Sequence, residues 1–183
     1  MASTEHPLLP LVHLQPVANM QNAWVALTLR ADVPADHMDA SLHAVFNDAG
    51  FLAAIAPLHC IVMVDNADAL DDVALEKMPA ARVGFAIDAG ALADDAVVKR
   101  MVALQERGYR VLVNGMPPVG NSGTIALRSV ATDFSAFPTR RDVLPLLYGP
   151  HLAHGVHTAL QRADSARSGY EWFAGDYALH PAP

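Results

Sequence analysis

The chain has 183 residues, 52% of them apolar and 17% charged, which describes a globular chain with one sizeable core and excludes a disordered one. Its 12 Lys and Arg against 19 Asp and Glu leave a net charge of −7, which argues against a general nucleic-acid-binding role, because neutralising phosphates takes clustered basic side chains. Cys60 is the only cysteine, so neither an internal disulfide nor a thiolate metal cluster can form within the chain. No apolar run nears the ~18 residues of a membrane span, and the start MASTEHPLLP lacks the charged head and apolar centre of a signal peptide. A cytoplasmic protein that does not engage membrane is expected.

In chain order, residues 1–10 read as a flexible arm. The segment LVHLQPVANMQNAWVALTLRAD follows, with apolar Leu14, Val17, Val25, Leu27 and Leu29, and reads as two adjacent strands with a turn near Met20–Asn22. Pro34 and Asp36 open a helix whose Met38, Leu42, Val45 and Phe46 share a face and whose end is set at Gly50; FLAAIAPL adds a short one. CIVMVD is a short apolar run, expected as a strand covered on both faces, and ADALDDVALEKMP as a short helix stopped by Pro79.

Next come RVGFAID, a helical stretch with Val98, Met101, Val102 and Leu104 on one stripe and Gly108 at its C-cap, and YRVLVNGM. That is a strand–helix–strand unit with parallel strands, whose ends at Asp88 and Asn114-Gly115 are the first places to look for chemistry. The loop MPPVGNSGT, a strand at Ser129–Phe134, a helix over TRRDVLPLLYG, a strand in HLAHGV, a helix in TALQRADSARSG and a last strand in EWFAGDYAL complete the chain. Alternating strands and helices give an α/β fold with a parallel sheet. With about eight strands in so short a chain, a compact TIM-type β/α barrel is favoured over an open doubly wound sheet, although element order alone allows both. One domain is expected across residues 1–183.

No dinucleotide, P-loop or G-x-S-x-G sequence occurs. VGNSGT offers backbone N–H groups to an anion, but such loops usually serve as plain connections. His151, His154 and His157 would align for a metal on a helix, whereas in a strand His154 faces away from the other two, and surface or loop histidines are the favoured reading.

Six fragments, in order along the chain, together resemble the EAL domain, the bacterial cyclic di-GMP phosphodiesterase family. LQPVANMQNAWVALTLR is similar to the family's opening, where Gln-Pro precedes a strand with E-x-L and then Arg; RVGFAID is similar to its Glu-bearing strand. GYRVLVNGM is similar to G-Y-x-[IL]-x-[IL]-D-D-F, VATDF to the V-K-I-D strand, LAHGVHT to A-E-G-V-E-T, and GYEWFAGDYALHP to G-[FY]-x-x-x-Q-G-[FY]-x-x-x-x-P. The short loops resemble the variant found beside HDOD modules. The resemblance implies an EAL-type (β/α) barrel with short or missing peripheral elements.

It also implies a site, and here the sequence departs from the pattern. The family's first metal-ligating Glu falls on Ala26 and the second on Ala86. Its paired metal-holding Asp residues fall on Asn114 and Gly115, its Lys on Ala131, its two later Glu on His154 and His157, and its Gln on Ala174; Asp133 is kept. For the family's metal-binding Asn after the second strand, Val64, Asp65 and Asn66 are the candidate positions. Mg²⁺ and Mn²⁺ need hard, preferably anionic oxygen ligands, and a two-metal hydrolase uses them on both attacking and leaving oxygens. Alanine and glycine side chains supply none, so no metal, no cofactor and no phosphodiesterase activity are expected. Gln15, Leu29 and Arg30 persist from the ligand-binding positions, and Arg30 suits a phosphate. The ranking is therefore a degenerate EAL domain acting as a regulatory or protein-interaction module, then a cyclic di-GMP receptor that does not cleave, then an active phosphodiesterase. Its protein partner is unspecified, and a homodimer is what the resemblance implies. Trp172, Phe173 and Tyr177 read as core rather than interface anchors.

Overall fold

The computed structural model describes residues 11–33, 37–47, 49–65, 67, 70–115, 128–135 and 149–180. The arm at 1–10, the helix start at Pro34 and Asp36, Asn66, the VGNSGT loop and the helix expected over TRRDVLPLLYG up to Tyr148 lie outside the described residues.

Eight strands close into a barrel in sequence order. β1 (Val12–Ala18) and β2 (Trp24–Ala31) form an antiparallel hairpin whose turn passes through Asn22 at φ +60°. β3 (His59–Val64), β4 (Val83–Asp88), β5 (Arg110–Asn114), β6 (Val130–Asp133), β7 (Leu152–His154) and β8 (Trp172–Ala174) then run parallel to β2, each paired with its predecessor. β1 closes the ring antiparallel to β8. The expected barrel is the observed one, and its reversed first strand follows from the short hairpin connection.

Period-two alternation divides each strand between two apolar layers. Val17, Ala26, Ile61, Ala86, Leu112, Ala131, Leu152, Trp172 and Ala174 fill the barrel interior. Outside, Leu29, Val62, Phe85, Ile87 and Val113 meet α1 (Met38–Asn47), α3 (Asp72–Glu76) and α4 (Asp95–Glu106) through Leu42, Phe46, Leu75, Val98 and Met101. A third cluster joins Val130, Phe134, Ala153, Tyr170 and Phe173 beside α5 (Ala159–Arg167). Trp172 and Phe173 are thus core, and Tyr177 packs partly buried against that third cluster.

The central strand–helix–strand unit forms for reasons written in its ends. Asp94 caps α4 by accepting from Ala96 N–H at 2.8 Å. Gly108, at φ +87°, ends the helix turn, with Tyr109 N–H returning to the Leu104 carbonyl. Tyr109 is then buried and donates its hydroxyl to the Leu75 and Met78 carbonyls at 3.0 and 2.8 Å.

Two boundaries differ from expectation. The first helix stops at Asn47, and Gly50 lies inside α2 (Ala49–Ala54), because Phe51 packs edge-on against Phe46 and so belongs to the helix rather than to a connection. The last strand is only Trp172–Ala174, and Asp176–Leu179 (α6) is a helical turn. Gly175 forces this break. At φ +143°, a Cβ there would stand 2.3 Å from the Val156 carbonyl oxygen, so the chain turns tightly around β7 instead of extending.

Candidate functional site

The C-terminal ends of the parallel strands form the mouth of the barrel. A cavity of about 380 Å³ opens there, lined by β1, β2, β3, β5, β7 and Leu179. Gln15, Thr28 and Arg30 occupy one side of it, Met63 the floor, and Asn114 and His154 the other side. Strands supply these residues at alternate positions, so all share the inward face.

The expected positions divide into three groups. Ala26, Ala86, Ala131 and Ala174 come together inside the apolar core, at 0–1% exposure. Asn114, Asp133 and His154 come together at the strand ends. His154 Nε2 donates to Asn114 Oδ1 at 3.0 Å, and its Nδ1 stands 3.8 Å from Asp133 Oδ1. His157 and Gly115 stand apart from that group. His157 pairs on the exposed surface with Asp176 at 2.8 Å. Gly115 contributes a backbone turn at φ +101°, its N–H bonded to the Ala131 carbonyl.

Leu29 does not belong to the ligand face. It is fully buried in the outer layer, against the helices. Thr28 takes its place between Ala26 and Arg30, and period-two counting from Arg30 would have found it. His13 and Met63 also line the mouth and carried no motif signal. Asp88, expected as a strand-end candidate, instead accepts from Gly90 N–H at 2.7 Å and starts a 3-10 turn at Ala89–Ala93.

The three histidines do separate. His151 is buried, its Nδ1 accepting from Val130 N–H, while His154 faces the mouth and His157 the surface. Among the described residues no three His, Cys, Asp or Glu side chains converge on one point.

The mouth combines a buried imidazole with a carboxylate and an arginine. Burial pushes the His154 pKa down; Asp133 opposes that and Arg30 adds to it, so the imidazole is neutral at pH 7. Burial raises the Asp133 pKa, but hydrogen bonds from Ser135 and the nearby His154 and His157 outweigh it and hold the carboxyl below its ordinary range. Gly155 leaves the room for this: a Cβ there would stand 2.5 Å from Asp133 Oδ1.

A divalent cation does not fit the donors present. Asn114 Oδ1 already accepts from His154, Asp133 Oδ1 already accepts from Ser135 N–H, and the alanines offer methyl groups.

No family model and no curated protein matches the chain. Solved structures do. The EAL domain of Mycobacterium smegmatis DcpA superposes with a TM-score of 0.73 at 15% identity, covering 92% of this chain and 91% of that one. The PaMucR phosphodiesterase in its c-di-GMP complex gives 0.70 at 13% identity, over 96% and 97% of the two chains. The fold is that of an EAL domain. The EAL-like domain protein YdiV also aligns, with a TM-score of 0.61 at 15% identity over 90% and 89%. Identities this low speak to the fold, and the chemistry of this EAL-type barrel is read from its own side chains. Among the described residues no helix is long and apolar enough to cross a membrane.

Proposed function

We propose that this protein is a catalytically inactive EAL-like domain, a single unit over residues 1–183, serving as a regulatory or protein-interaction module in cytoplasmic bacterial signalling. The observation that carries this reading is the interior of the barrel. Ala26, Ala86, Ala131 and Ala174 are packed among Val17, Ile61, Leu112 and Leu152, where the family resemblance calls for ligating or charged groups. A metal-dependent hydrolase concentrates anionic oxygens at its strand ends to hold ions and activate water. These strand ends hold a His–Asn pair and one carboxylate, Asp133, above a layer of alanine methyl groups.

Incubating the full chain with cyclic di-GMP and Mg²⁺ or Mn²⁺ tests it. No linear dinucleotide should form above the no-protein rate, and steady release of that product overturns the proposal.

A second reading rests on a specific feature, the cavity shared by Gln15, Thr28 and Arg30. In that reading the protein holds cyclic di-GMP without cleaving it, with Arg30 on a phosphate. Calorimetry with the dinucleotide, with and without Mg²⁺, separates the two. The first reading expects no saturable heat; micromolar binding lost in Arg30→Gln and indifferent to Mg²⁺ establishes the second. Protein partners, including a second copy of the chain, are the ligands that the first reading favours.

A further inference from the structure

A second cavity, of about 370 Å³, lies at the opposite end of the barrel, where β3 to β6 begin. Its polar lining includes His59, Gln105, Arg110, Arg128 and Ser129. Gly84 lines it and allows close approach to Arg110, its register partner on β5, since a Cβ at that glycine would stand 2.9 Å from the Arg110 carbonyl oxygen and 3.2 Å from its Cβ.

Arg110 is the unusual member. It is half-buried, its guanidinium sits over the Trp172 ring at 4.7 Å from the centroid, and burial pushes its pKa down. The ion pairs of the described arginines use Arg100, Arg107 and Arg167; among the described residues no carboxylate pairs with Arg110 or Arg128. Arg82, close by, spends its guanidinium on the Leu52 and Leu58 carbonyls. Glu171 stands near the rim, beside Gly149. Burial lowers the His59 pKa, and the Arg110 and Arg82 charges lower it further.

A half-desolvated guanidinium without a counter-charge is costly, and stacking on an aromatic ring recovers only part of that cost. A second arginine on the same cavity wall adds to the charge, and guanidinium groups suit phosphate oxygens. The volume exceeds that of a bare anion and falls in the range of small-molecule sites. We propose that this cavity binds a small phosphate-bearing molecule, whose phosphate is held between Arg110 and Arg128. The site is independent of the mouth and of whether the mouth binds anything.

Calorimetry on the full chain with inorganic phosphate and with a nucleoside monophosphate tests it, with the unphosphorylated nucleoside as control. Saturable binding of the monophosphate is expected, stronger than that of inorganic phosphate, with none for the nucleoside. Arg128→Gln, at an exposed position, should weaken binding about tenfold or more. Arg110→Gln should weaken it at least as much, and Arg167→Gln, the same charge loss on α5, should leave it unchanged. Circular dichroism confirms that each variant is folded. Absence of saturable binding by both anions overturns the proposal, as does binding that survives Arg128→Gln or is lost in Arg30→Gln.

Discussion

The two ends of this barrel hold cavities of nearly equal volume, about 380 Å³ at the mouth and 370 Å³ at the floor, yet differ in chemistry. The mouth has inner polar groups that satisfy one another, His154 with Asn114 and Asp133 with Ser135, and one exposed arginine, Arg30, at its side. The floor has cations that meet no anion among the described residues, Arg110 on an aromatic ring and Arg128 exposed. In β/α barrels the mouth is the usual seat of chemistry and the floor the usual seat of stability. Here the inner polar groups of the mouth pair with one another, with Arg30 exposed beside them, and the floor holds two arginines that no carboxylate pairs with among the described residues. The difference teaches that a fold marks where a site can be, and that only the donors and charges present decide what it does.

The largest expected effect breaks the contrast by returning charge to the interior beneath the mouth. Ala86 is 1% exposed between Met63 and Leu112, its register partners. Ala86→Glu buries a carboxylate with no cation in the inner layer, and should cost about 3–5 kcal/mol in urea unfolding. Adding Mg²⁺ should not restore the loss. Recovery of stability with the metal would mean that the mouth still assembles an ion site.

A smaller effect comes from β2, where adjacent residues face opposite layers. Leu29 is fully buried against the helices, so Leu29→Ala should cost about 2–5 kcal/mol. Thr28 offers only a long 3.4 Å hydrogen bond to the Gln15 carbonyl, so Thr28→Val should change stability by about 1 kcal/mol or less. Equal losses at the two positions would show that the register of β2 is misread.

That pair also measures how much was legible beforehand. The barrel could be read because the short apolar runs CIVMVD and RVGFAID, the glycine cap at Gly108 and the strand–helix order are local signals. The missing carboxylates could be read because a residue's identity is visible without coordinates. Leu29 was misassigned because matching a motif by residue type ignores which face a strand presents, and Thr28 was passed over for the same reason. The end of the last strand was missed because the contact that breaks it, Gly175 on Val156, joins distant parts of the chain. The floor cavity left no local trace at all. Arg110 begins β5, Arg128 lies just before β6 and Trp172 begins β8, and only closure of the barrel brings them to one end.

The finest effect concerns the neutrality of the mouth. Burial lowers the His154 pKa in the folded protein, so below the ordinary value of about 6.5 the unfolded chain takes up a proton that the folded one refuses. Its contribution to stability is full above that pH and is lost as pH falls from there through the folded pKa. Asn114→Asp places a carboxylate against Nε2, where the amide oxygen now accepts at 3.0 Å. The imidazolium then gains a charge-assisted partner, the His154 pKa rises, and the loss on acidification should shrink by about 1 kcal/mol. Urea unfolding of both proteins between pH 7.5 and 5.5, with the His154 ring followed by NMR, measures both quantities. Asp176→Asn, which acts on His157 at the surface, should leave the His154 titration where it is. If Asn114→Asp leaves the titration of His154 where it is, the two side chains do not meet in solution, and the self-satisfied mouth that separates this end of the barrel from the other is lost as an explanation.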